Sequence, residues 1–143
     1  MKLIRIDKEE QLQEAFNIRK EVFVKEQGVP IEDEFDQYDS LQGNCIHILA
    51  YIENKPVGTA RIRVVDGLGK LERICILPFY RKHGLGKEIV SYLEKVAIEM
   101  GINEFKLHGQ TQVQHFYEKL GYVKSSEVFI EDGIPHILMK KSI

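Results

Sequence analysis

The order of the secondary-structure signals predicts an α/β or α+β fold for this chain. Arg61 and Arg63 alternate with Ile62 and Val64, which is the period of a half-buried strand. Another segment carries an apolar stripe at helical spacing, made of Ile89, Leu93, Val96, Ala97 and Met100. Such patterns run in the order strand, helix, a run of strands, then strand, helix, strand, helix and two strands. We therefore predict a sheet flanked by helices.

The amino-terminal part of the chain predicts one strand and one helix. Leucine and isoleucine within 3–6 indicate a short strand. Asp7 and Glu10 have the spacing of a capping box, so a helix should begin there and end before Gly28. The stretch 31–43 is acidic and aromatic, and we expect it to be irregular.

The rest of the chain is predicted to alternate strands with two helices. Turn residues separate the strand patterns, among them Glu53-Asn54-Lys55-Pro56 and Asp66-Gly67. The predicted strands cover residues 45–53, 56–65, 71–77, 105–108, 122–130 and 135–140. No repeat or linker interrupts this pattern, so we expect residues 1–143 to form a single domain.

Composition excludes several functional classes. Among 143 residues, 20 are Lys or Arg and 22 are Asp or Glu, so the net charge is −2. This balance predicts no general attraction to nucleic acid or to an anionic membrane. Two cysteines, Cys45 and Cys75, form no Cys-x-x-Cys pair, and the five histidines show no metal-ligand spacing. A reducing, cytoplasmic location and no bound metal are therefore expected.

The strongest local motif is a strand followed by Arg81-x-x-Gly84-x-Gly86 and then a helix. Free N–H groups and a partial positive charge at a helix N-terminus attract anions, and glycines allow a phosphate to approach the backbone. Lys82 and His83 add basic side chains beside these groups. The pattern favours a pyrophosphate site, and its alternative is an ordinary turn with solvated basic residues. The sequence fits neither a Walker A loop nor the dinucleotide fingerprint.

Two motifs together resemble the GNAT acetyltransferase superfamily. Arg81-x-x-Gly84-x-Gly86 is similar to its Gln/Arg-x-x-Gly-x-Gly/Ala signature, and it follows a Leu-Glu-Arg-Ile-Cys-Ile strand. About thirty residues later, Phe116-Tyr117-Glu118-Lys119-Leu120-Gly121-Tyr122 resembles the Phe-Tyr-x-Lys-x-Gly-Phe segment. The stretch from Arg19 to Pro30, together with Gly133-Ile134-Pro135-His136, resembles the ElaA/YjcF-like branch. The resemblance implies a mixed, mostly antiparallel sheet whose strands at 71–77 and 104–108 splay to admit the cofactor.

The resemblance also implies a site for acetyl-coenzyme A as co-substrate. Backbone groups of one strand would pair with the pantetheine arm, as an added strand would. Gln110 lies where many members have an asparagine, and Phe116 would pack on the arm or simply in the helix core. The full set of cofactor-binding candidates is Ile74, Cys75, Ile76, Arg81, Lys82, His83, Gly84, Leu85, Gly86, Gln110 and Phe116.

Two residues are candidates for proton transfer. Tyr117 would act as general acid toward the departing thiolate, or else be a buried aromatic beside Phe116. Strand alternation places Glu72, Ile74 and Ile76 on one face, and a carboxylate among apolar neighbours would have a raised pKa and act as base. Its alternatives are a structural ion pair, or an amine that arrives neutral. Cys75 as a nucleophile, with His47 or His108 as base, is a weaker hypothesis than a buried structural thiol.

Acceptor binding is expected from the first helix, its following loop and the last two strands. The polar candidates there are Arg19, Glu26, Gln27 and His136, unless Arg19 and Glu26 pair with each other and His136 caps its hairpin. The acidic run at 32–39 would either attract a cationic amine or be solvated.

The sequence thus predicts acetyl transfer from acetyl-coenzyme A to a primary amine of a small molecule. Rival interpretations are a non-catalytic acyl-coenzyme A sensor and a nucleotide-binding module. No nucleic acid or membrane partner is expected. A homodimer is compatible with the sequence, which does not determine the oligomeric state.

Overall fold

Eight strands form one mixed sheet in the computed structural model, which describes all residues from 1 to 143. Every neighbouring pair is antiparallel except β4 and β5, which run parallel. The order across the sheet is β1-β2-β3-β4-β5-β8-β6, and β7 also pairs with β8. The strands are β1 (Lys2–Arg5), β2 (Cys45–Ile52), β3 (Lys55–Val65), β4 (Leu68–Ile76), β5 (Glu104–Gln110), β6 (Val123–Lys124), β7 (Phe129–Glu131) and β8 (Ile134–Ser142).

Helices cover both faces of this sheet, which confirms the predicted fold class. One face carries α1 (Glu9–Arg19), which continues as a π-helix (Lys20–Glu26) and is followed by the short α2 (Ile31–Glu34). The other face carries α3 (Leu85–Glu99) and α4 (Gln114–Lys119) over the larger apolar core. Short 3₁₀ turns lie at Pro78–Tyr80 and Thr111–Val113. None of these helices combines the length and the apolar character needed to cross a membrane.

Tight turns connect the central antiparallel strands. Glu53 and Asn54 both have positive φ, at 49° and 66°, and so do Asp66 and Gly67, at 52° and 80°. Two successive left-handed residues form the turn whose twist matches that of the flanking strands. The predicted turns are therefore correct in place, but β3 already begins at Lys55 and β4 at Leu68.

A bulge in β4 reverses the alternation of its side chains. Arg61 pairs with Glu72 while Thr59 pairs with Cys75, so two residues of β4 oppose one of β3. Arg73, inside this bulge, has a φ of 58°. Ile74 and Ile76 pack on the α3 side, and Cys75 packs on the α1 side. The expectation that Glu72 shares a face with Ile74 and Ile76 is wrong, because the bulge places it beside the arginines on the α1 side.

The parallel strands β4 and β5 pair over only three residues and then diverge. Gly69, Lys70 and Leu71 are opposite Phe105, Lys106 and Leu107. Beyond these pairs, β4 continues to Ile76 and β5 to Gln110 without contacting each other as strands. The predicted splay is confirmed, and its vertex lies at Leu71 and Leu107.

Two element boundaries differ from the sequence expectation. The first helix begins at Glu9, and the Gln11 side chain, not Glu10, accepts hydrogen bonds from the Asp7 and Lys8 N–H groups. The segment 122–130 is not one strand, since β6 ends at Lys124 and β7 begins at Phe129.

The acidic run at 32–39 is divided between solvent and a buried network. Glu32 and Asp33 are exposed, whereas the carboxylates of Glu34, Asp36 and Asp39 bind two arginines, Arg19 and Arg61, which are only 2% and 1% exposed. Arg19 binds Glu34 at 2.9 Å and Asp39 at 2.6 Å. Arg61 binds Asp36 at 2.7 Å and Asp39 at 2.8 Å. Buried charges need such partners, so this network attaches 31–39 to α1 and β3.

Glu72 extends the same network along the sheet. Its carboxylate lies 3.0 Å from Arg61, 2.8 Å from Arg63 and 3.1 Å from Lys70. Burial alone would raise the pKa of Glu72, but the hydrogen bond from Arg63 and the charges of Arg61 and Lys70 outweigh it and lower this pKa to about 2. Glu72 is therefore an ionised structural partner of β3.

Asp39→Ala should destabilise the fold strongly. The change leaves two buried guanidinium groups short of a carboxylate, and removing one partner of a buried ion pair typically costs about 3–5 kcal/mol. Urea unfolding followed by circular dichroism would measure the loss. Glu21→Gln is the control, because Glu21 pairs with Lys25 at the surface, and it should cost no more than about 1 kcal/mol. Equal losses in the two variants would contradict a stabilising network.

Glu72→Gln should make the free energy of unfolding depend less on pH under acidic conditions. Because the pKa of Glu72 is lowered to about 2 in the fold, the unfolded chain takes up this proton at higher pH than the native chain. Its contribution is complete above an ordinary glutamate pKa of about 4.3 and is lost as pH falls toward the native value. The gap in unfolding free energy between wild type and variant should narrow from about pH 5 to about pH 3. A gap that stays constant over this range would contradict the assignment.

Candidate active site

A cavity of about 1000 Å³ occupies the gap where β4 and β5 diverge. One end reaches the loop before α3, and its walls include the α4 aromatic residues and the end of the π-helix. The opposite wall is formed by β5 and by the hairpin of β7 and β8. The cavity therefore runs from the predicted anion loop to the vertex of the splay.

The loop before α3 has the backbone shape of an anion site. Lys82 and Gly84 both adopt left-handed conformations, with φ of 68° and 78°, which curves successive N–H groups toward one point. The Glu88 N–H bonds the Gly84 carbonyl and starts the helical ladder. The preceding N–H groups, of Leu85, Gly86 and Lys87, thus have no partner within the helix and line the cavity end.

Gly86 lies in close contact with Phe116. A Cβ at this position would lie 3.1 Å from the Phe116 ring, so a larger residue would need this ring to shift by a few tenths of an ångström. Phe116 lines the cavity and also packs against the core. The structure thus confirms the packing of Phe116 in the core and leaves its contact with a cofactor arm a prediction.

Arg81 faces the cavity but is already held by protein groups. Its guanidinium binds both Glu26 carboxylate oxygens, at 2.7 and 2.8 Å, and its Nε donates to the Ile76 carbonyl at 2.9 Å. The hydrogen bond from Arg81 lowers the pKa of Glu26. His83 is exposed and does not line the cavity. Of the basic side chains at 81–83, Lys82 alone lines the cavity without a protein partner.

The free edge of β4 offers only alternate residues to the gap. The Leu77 N–H bonds Val57, and Cys75 is opposite Thr59 in the same register. Antiparallel alternation then turns the Cys75 backbone toward β3 and presents Ile74 and Ile76 to the gap. The structure argues against pairing of Cys75 with a pantetheine arm. Burial raises the pKa of the Cys75 thiol, so it stays protonated and is no nucleophile.

Gln110 lies at the end of β5 on the cavity wall. Its side-chain amide donates to the Gln27 side chain at 2.9 Å. This contact and the Arg81–Glu26 pair connect the end of the π-helix to both diverging strands. Glu26 and Gln27 therefore bridge the gap on the α1 side of the sheet.

Tyr117 projects into the cavity from the α4 side. Its ring packs against Phe116 and Tyr122, and the residue is 7% exposed. No buried side-chain oxygen lacks a hydrogen-bond partner, and the Tyr117 hydroxyl has none within the protein, so this hydroxyl opens to the cavity. Burial raises the pKa of Tyr117, which keeps its proton on the phenol at neutral pH.

Glu72 lies at the vertex but does not have the environment expected of a base. Three cations hold its carboxylate, and its lowered pKa opposes uptake of a proton from an ammonium. The geometry thus supports the structural ion pair that the sequence left as an alternative, for which Arg73 or a nearby lysine was the expected partner. The partners are Lys70, which is such a lysine, and Arg61 and Arg63, but not Arg73.

The four acceptor candidates divide into one buried residue and three cavity residues. Arg19 is enclosed by Glu34 and Asp39 and does not line the cavity, so it is not available to a substrate. Glu26, Gln27 and His136 line it. Arg19 and Glu26 do not pair with each other. His136 Nδ1 donates to the Ile134 carbonyl at 2.7 Å, inside its own hairpin.

Several cavity residues were not selected by the sequence. Lys70 and Arg73 lie on β4, His108 lies on β5, and Glu131 precedes the hairpin turn. His108 was considered only as a partner for Cys75. The alternation that places Gln110 toward the gap also places His108 there, so this signal was present. The position of Glu131 in the cavity wall depends on the register of the β7–β8 hairpin, in which Glu131 is opposite Ile134.

Comparison with known proteins agrees with this architecture. The family model described as acetyltransferase (GNAT) domain matches residues 6–143. YjcF of Bacillus subtilis, named an uncharacterized N-acetyltransferase, is 49% identical over 142 residues, which are 99% of each chain. The crystal structure of Escherichia coli ElaA has a TM-score of 0.86 at 29% identity, covering 99% of both chains. An acyl-CoA N-acyltransferase from Pseudomonas aeruginosa has a TM-score of 0.88 at 26% identity, covering 99% of this chain and all of the other. By sequence and by fold, this chain belongs to the GNAT acetyltransferase family.

Proposed function

We propose that this protein transfers an acetyl group from acetyl-coenzyme A to a primary amine of a small molecule. The observation that supports it best is the continuous cavity from the anion loop at 82–86 to the Tyr117 hydroxyl. The cavity follows the unpaired edge of β4, so a linear ligand with an anionic end fits its shape. In this proposal, residues 1–143 act as one acyltransferase domain.

The residues present fit a coenzyme A thioester. The free N–H groups of Leu85, Gly86 and Lys87, with the Lys82 side chain, would hold the pyrophosphate. The β4 edge at Ile74 and Ile76 would pair with the pantetheine amides. The hydrogen bond from Arg81 Nε to the Ile76 carbonyl would first have to break. Phe116 and Gln110 would border the arm. When bound, acetyl-coenzyme A supplies an activated acetyl thioester.

The protein would position the bound thioester and supply a proton donor. The anion loop lies at the open end of the splay, so the acyl end of a bound arm points toward the vertex at Leu71 and Leu107. There Tyr117 holds a protonated hydroxyl open to the cavity and would donate to the departing thiolate sulfur. A backbone N–H on the free edge of β4 would polarise the thioester oxygen.

The acceptor would enter from the α1 side of the sheet. The cofactor arm takes up the β4 edge and the start of α3, which leaves the wall formed by the π-helix end and the β7–β8 hairpin. Glu26, Gln27 and His136 line this wall and are our candidates for contacting the amine. Glu26 would keep a negative charge there, since its pKa is lowered.

Gly84→Asp should abolish acetyl-coenzyme A binding. The change places a carboxylate and a Cβ in the anion loop at a left-handed residue. Wild type should bind in calorimetry and gain about 2.7 kcal/mol of stability at a hundredfold excess of ligand over Kd. Gly67→Asp is the control, because Gly67 is also left-handed, at φ 80°, but lies in the β3–β4 turn outside the cavity. Absence of binding by wild type would refute the proposal.

Tyr117→Phe should lower kcat by about 10²–10⁴-fold, because a positioned general acid is lost. Acetyl-coenzyme A affinity and stability should change little, since the ring remains in place. Thiol release with a panel of primary amines measures the effect. Tyr92→Phe, on α3 and outside the cavity, serves as control. An unchanged kcat in the Tyr117 variant would show that Tyr117 only packs in the core. Absence of thiol release by the wild-type protein would favour the acyl-coenzyme A sensor.

A further inference from the structure

A histidine–glutamate cluster lines the acceptor wall of the cavity. His108 Nδ1 lies 2.9 Å from Glu131 Oε1, and His136 Nε2 lies 3.8 Å from Glu131 Oε2. Phe129 packs against both rings, edge-on to His108 and stacked on His136. These residues come from β5, β7 and β8, so the sheet brings together groups that are distant in sequence.

Hydrogen-bond chemistry determines which nitrogen of His108 carries a lone pair. A carboxylate only accepts hydrogen bonds, so Nδ1 of His108 must donate to Glu131. In the neutral ring the lone pair is therefore on Nε2. No protein group forms a hydrogen bond or an ion pair with this nitrogen, and the side chain, which lines the cavity, is 30% exposed. His108 thus presents a proton acceptor to the cavity.

His136 does not present such a group. Its Nδ1 donates to the Ile134 carbonyl, and its Nε2 faces the Glu131 carboxylate. The ring is also more enclosed, at 9% exposure. Between the two histidines, His108 is the one with a nitrogen free for a substrate.

The position of His108 relative to the vertex matches the proposed reaction. β4 and β5 stop pairing at Leu71 and Leu107, so His108 is the first residue of β5 beyond the vertex. The next residue, Gly109, lies against the Tyr117 ring, with 3.3 Å between that ring and a Cβ built on the glycine. His108 and Tyr117 therefore flank the same point of β5 from opposite faces of the sheet.

We propose that His108, oriented by Glu131, is the general base that receives the proton of the acceptor amine. This inference rests on the proposed acetyltransferase function and assigns the role that Glu72 cannot fill. His108 would be a catalytic residue, and Glu131 a positioning residue that fixes the ring and its tautomer.

The proton balance of the step is complete with these two residues. The amine nitrogen forms a bond to the acetyl carbon, and the bond from that carbon to sulfur breaks. The acceptor arrives as an ammonium ion, and His108 Nε2 takes one of its protons before the attack and later releases that proton to solvent. Tyr117 gives its proton to the departing sulfur and regains, through solvent, the second proton that the nitrogen loses when the amide forms.

Charged groups of several other elements line the same cavity as His108. They are Lys70, Glu72 and Arg73 on β4, Glu131 and Asp132 at the hairpin, and His136 on β8. Glu72 is held by three cations. The carboxylate in direct contact with the His108 ring is that of Glu131.

His108→Gln should lower kcat/KM for the amine by about 10²–10⁴-fold near neutral pH. The deficit should shrink as pH rises toward the pKa of the amine, about 10.4 for a lysine-like amine, because the free base no longer needs a proton acceptor. Acetyl-coenzyme A affinity by calorimetry should stay within about twofold of wild type, a change worth only about 0.4 kcal/mol. The probes are the primary amines that wild type accepts in the thiol-release panel.

A matched control is present on α4. His115 Nδ1 lies 3.0 Å from Glu118 Oε1, but its side chain is 94% exposed and outside the cavity. His115→Gln removes a similar histidine–glutamate contact and should leave kcat/KM and its pH profile unchanged.

Glu131→Gln tests the positioning role. Because Glu131 would act through the His108 ring, Glu131→Gln should show a smaller deficit in kcat/KM that shrinks with rising pH in the same way as that of His108→Gln. Glu131→Asp should restore part of the rate. A purely structural Glu131 would give a deficit that does not depend on pH.

Three outcomes separate the hypotheses. Activity in wild type with a pH-dependent deficit in His108→Gln supports the inference. Activity in wild type with an unchanged rate or a pH-independent deficit in His108→Gln overturns it, while the acetyltransferase function stands. Absence of thiol release by wild type overturns both.

Discussion

The divergence of β4 from β5 is the constraint on which the remainder of this structure depends. Parallel pairing stops after three residues at Leu71 and Leu107, and this leaves an unpaired strand edge inside the protein. Unpaired backbone groups are costly unless they find partners. Part of that edge is met by Arg81, which donates to the Ile76 carbonyl, and the rest opens into a cavity of about 1000 Å³. The structure thus keeps one strand edge accessible, as a ligand with amide groups would require.

The buried ion pairs explain how such an opening is supported. The bulge at Arg73 turns Glu72 toward Arg61, Arg63 and Lys70, and Arg61 in turn reaches the acidic segment after α2. These contacts attach α1, the 31–39 segment and β3 to the same part of β4. Charges that look like a solvated surface in the sequence therefore form an internal frame. The same pairing removes Glu72 from proton transfer, because a carboxylate stabilised by three cations is a weak base.

The division of the cavity follows from the two faces of the sheet. Tyr117 approaches from the α3 and α4 side, where burial keeps its phenol protonated. His108, Glu131 and His136 approach from the other side, where the hairpin of β7 and β8 brings a carboxylate to an imidazole. In the proposed reaction, Tyr117 would be a proton donor and His108 a proton acceptor on opposite faces of the sheet, which would suit a transfer in which one group arrives as another leaves. This arrangement is built on the fold of the GNAT family, to which the chain belongs.

The sequence by itself determined most of the element order, the turns, the glycine loop before α3 and the family, because these depend on local periodicity, glycine positions and contiguous motifs. It did not predict α2 or the division of 122–130 into β6 and β7. It also selected Tyr117 and residues at the end of the π-helix, all of which line the cavity. Only the tertiary structure decided the partners of the charged residues. Arg19 and Glu26 were each expected near a substrate, but one is buried against Glu34 and Asp39 and the other holds Arg81. The physical reason is that ion pairs and strand register join residues far apart in the chain: a single extra residue at the β4 bulge moved Glu72 to the other face, and the hairpin register brought Glu131 to His108.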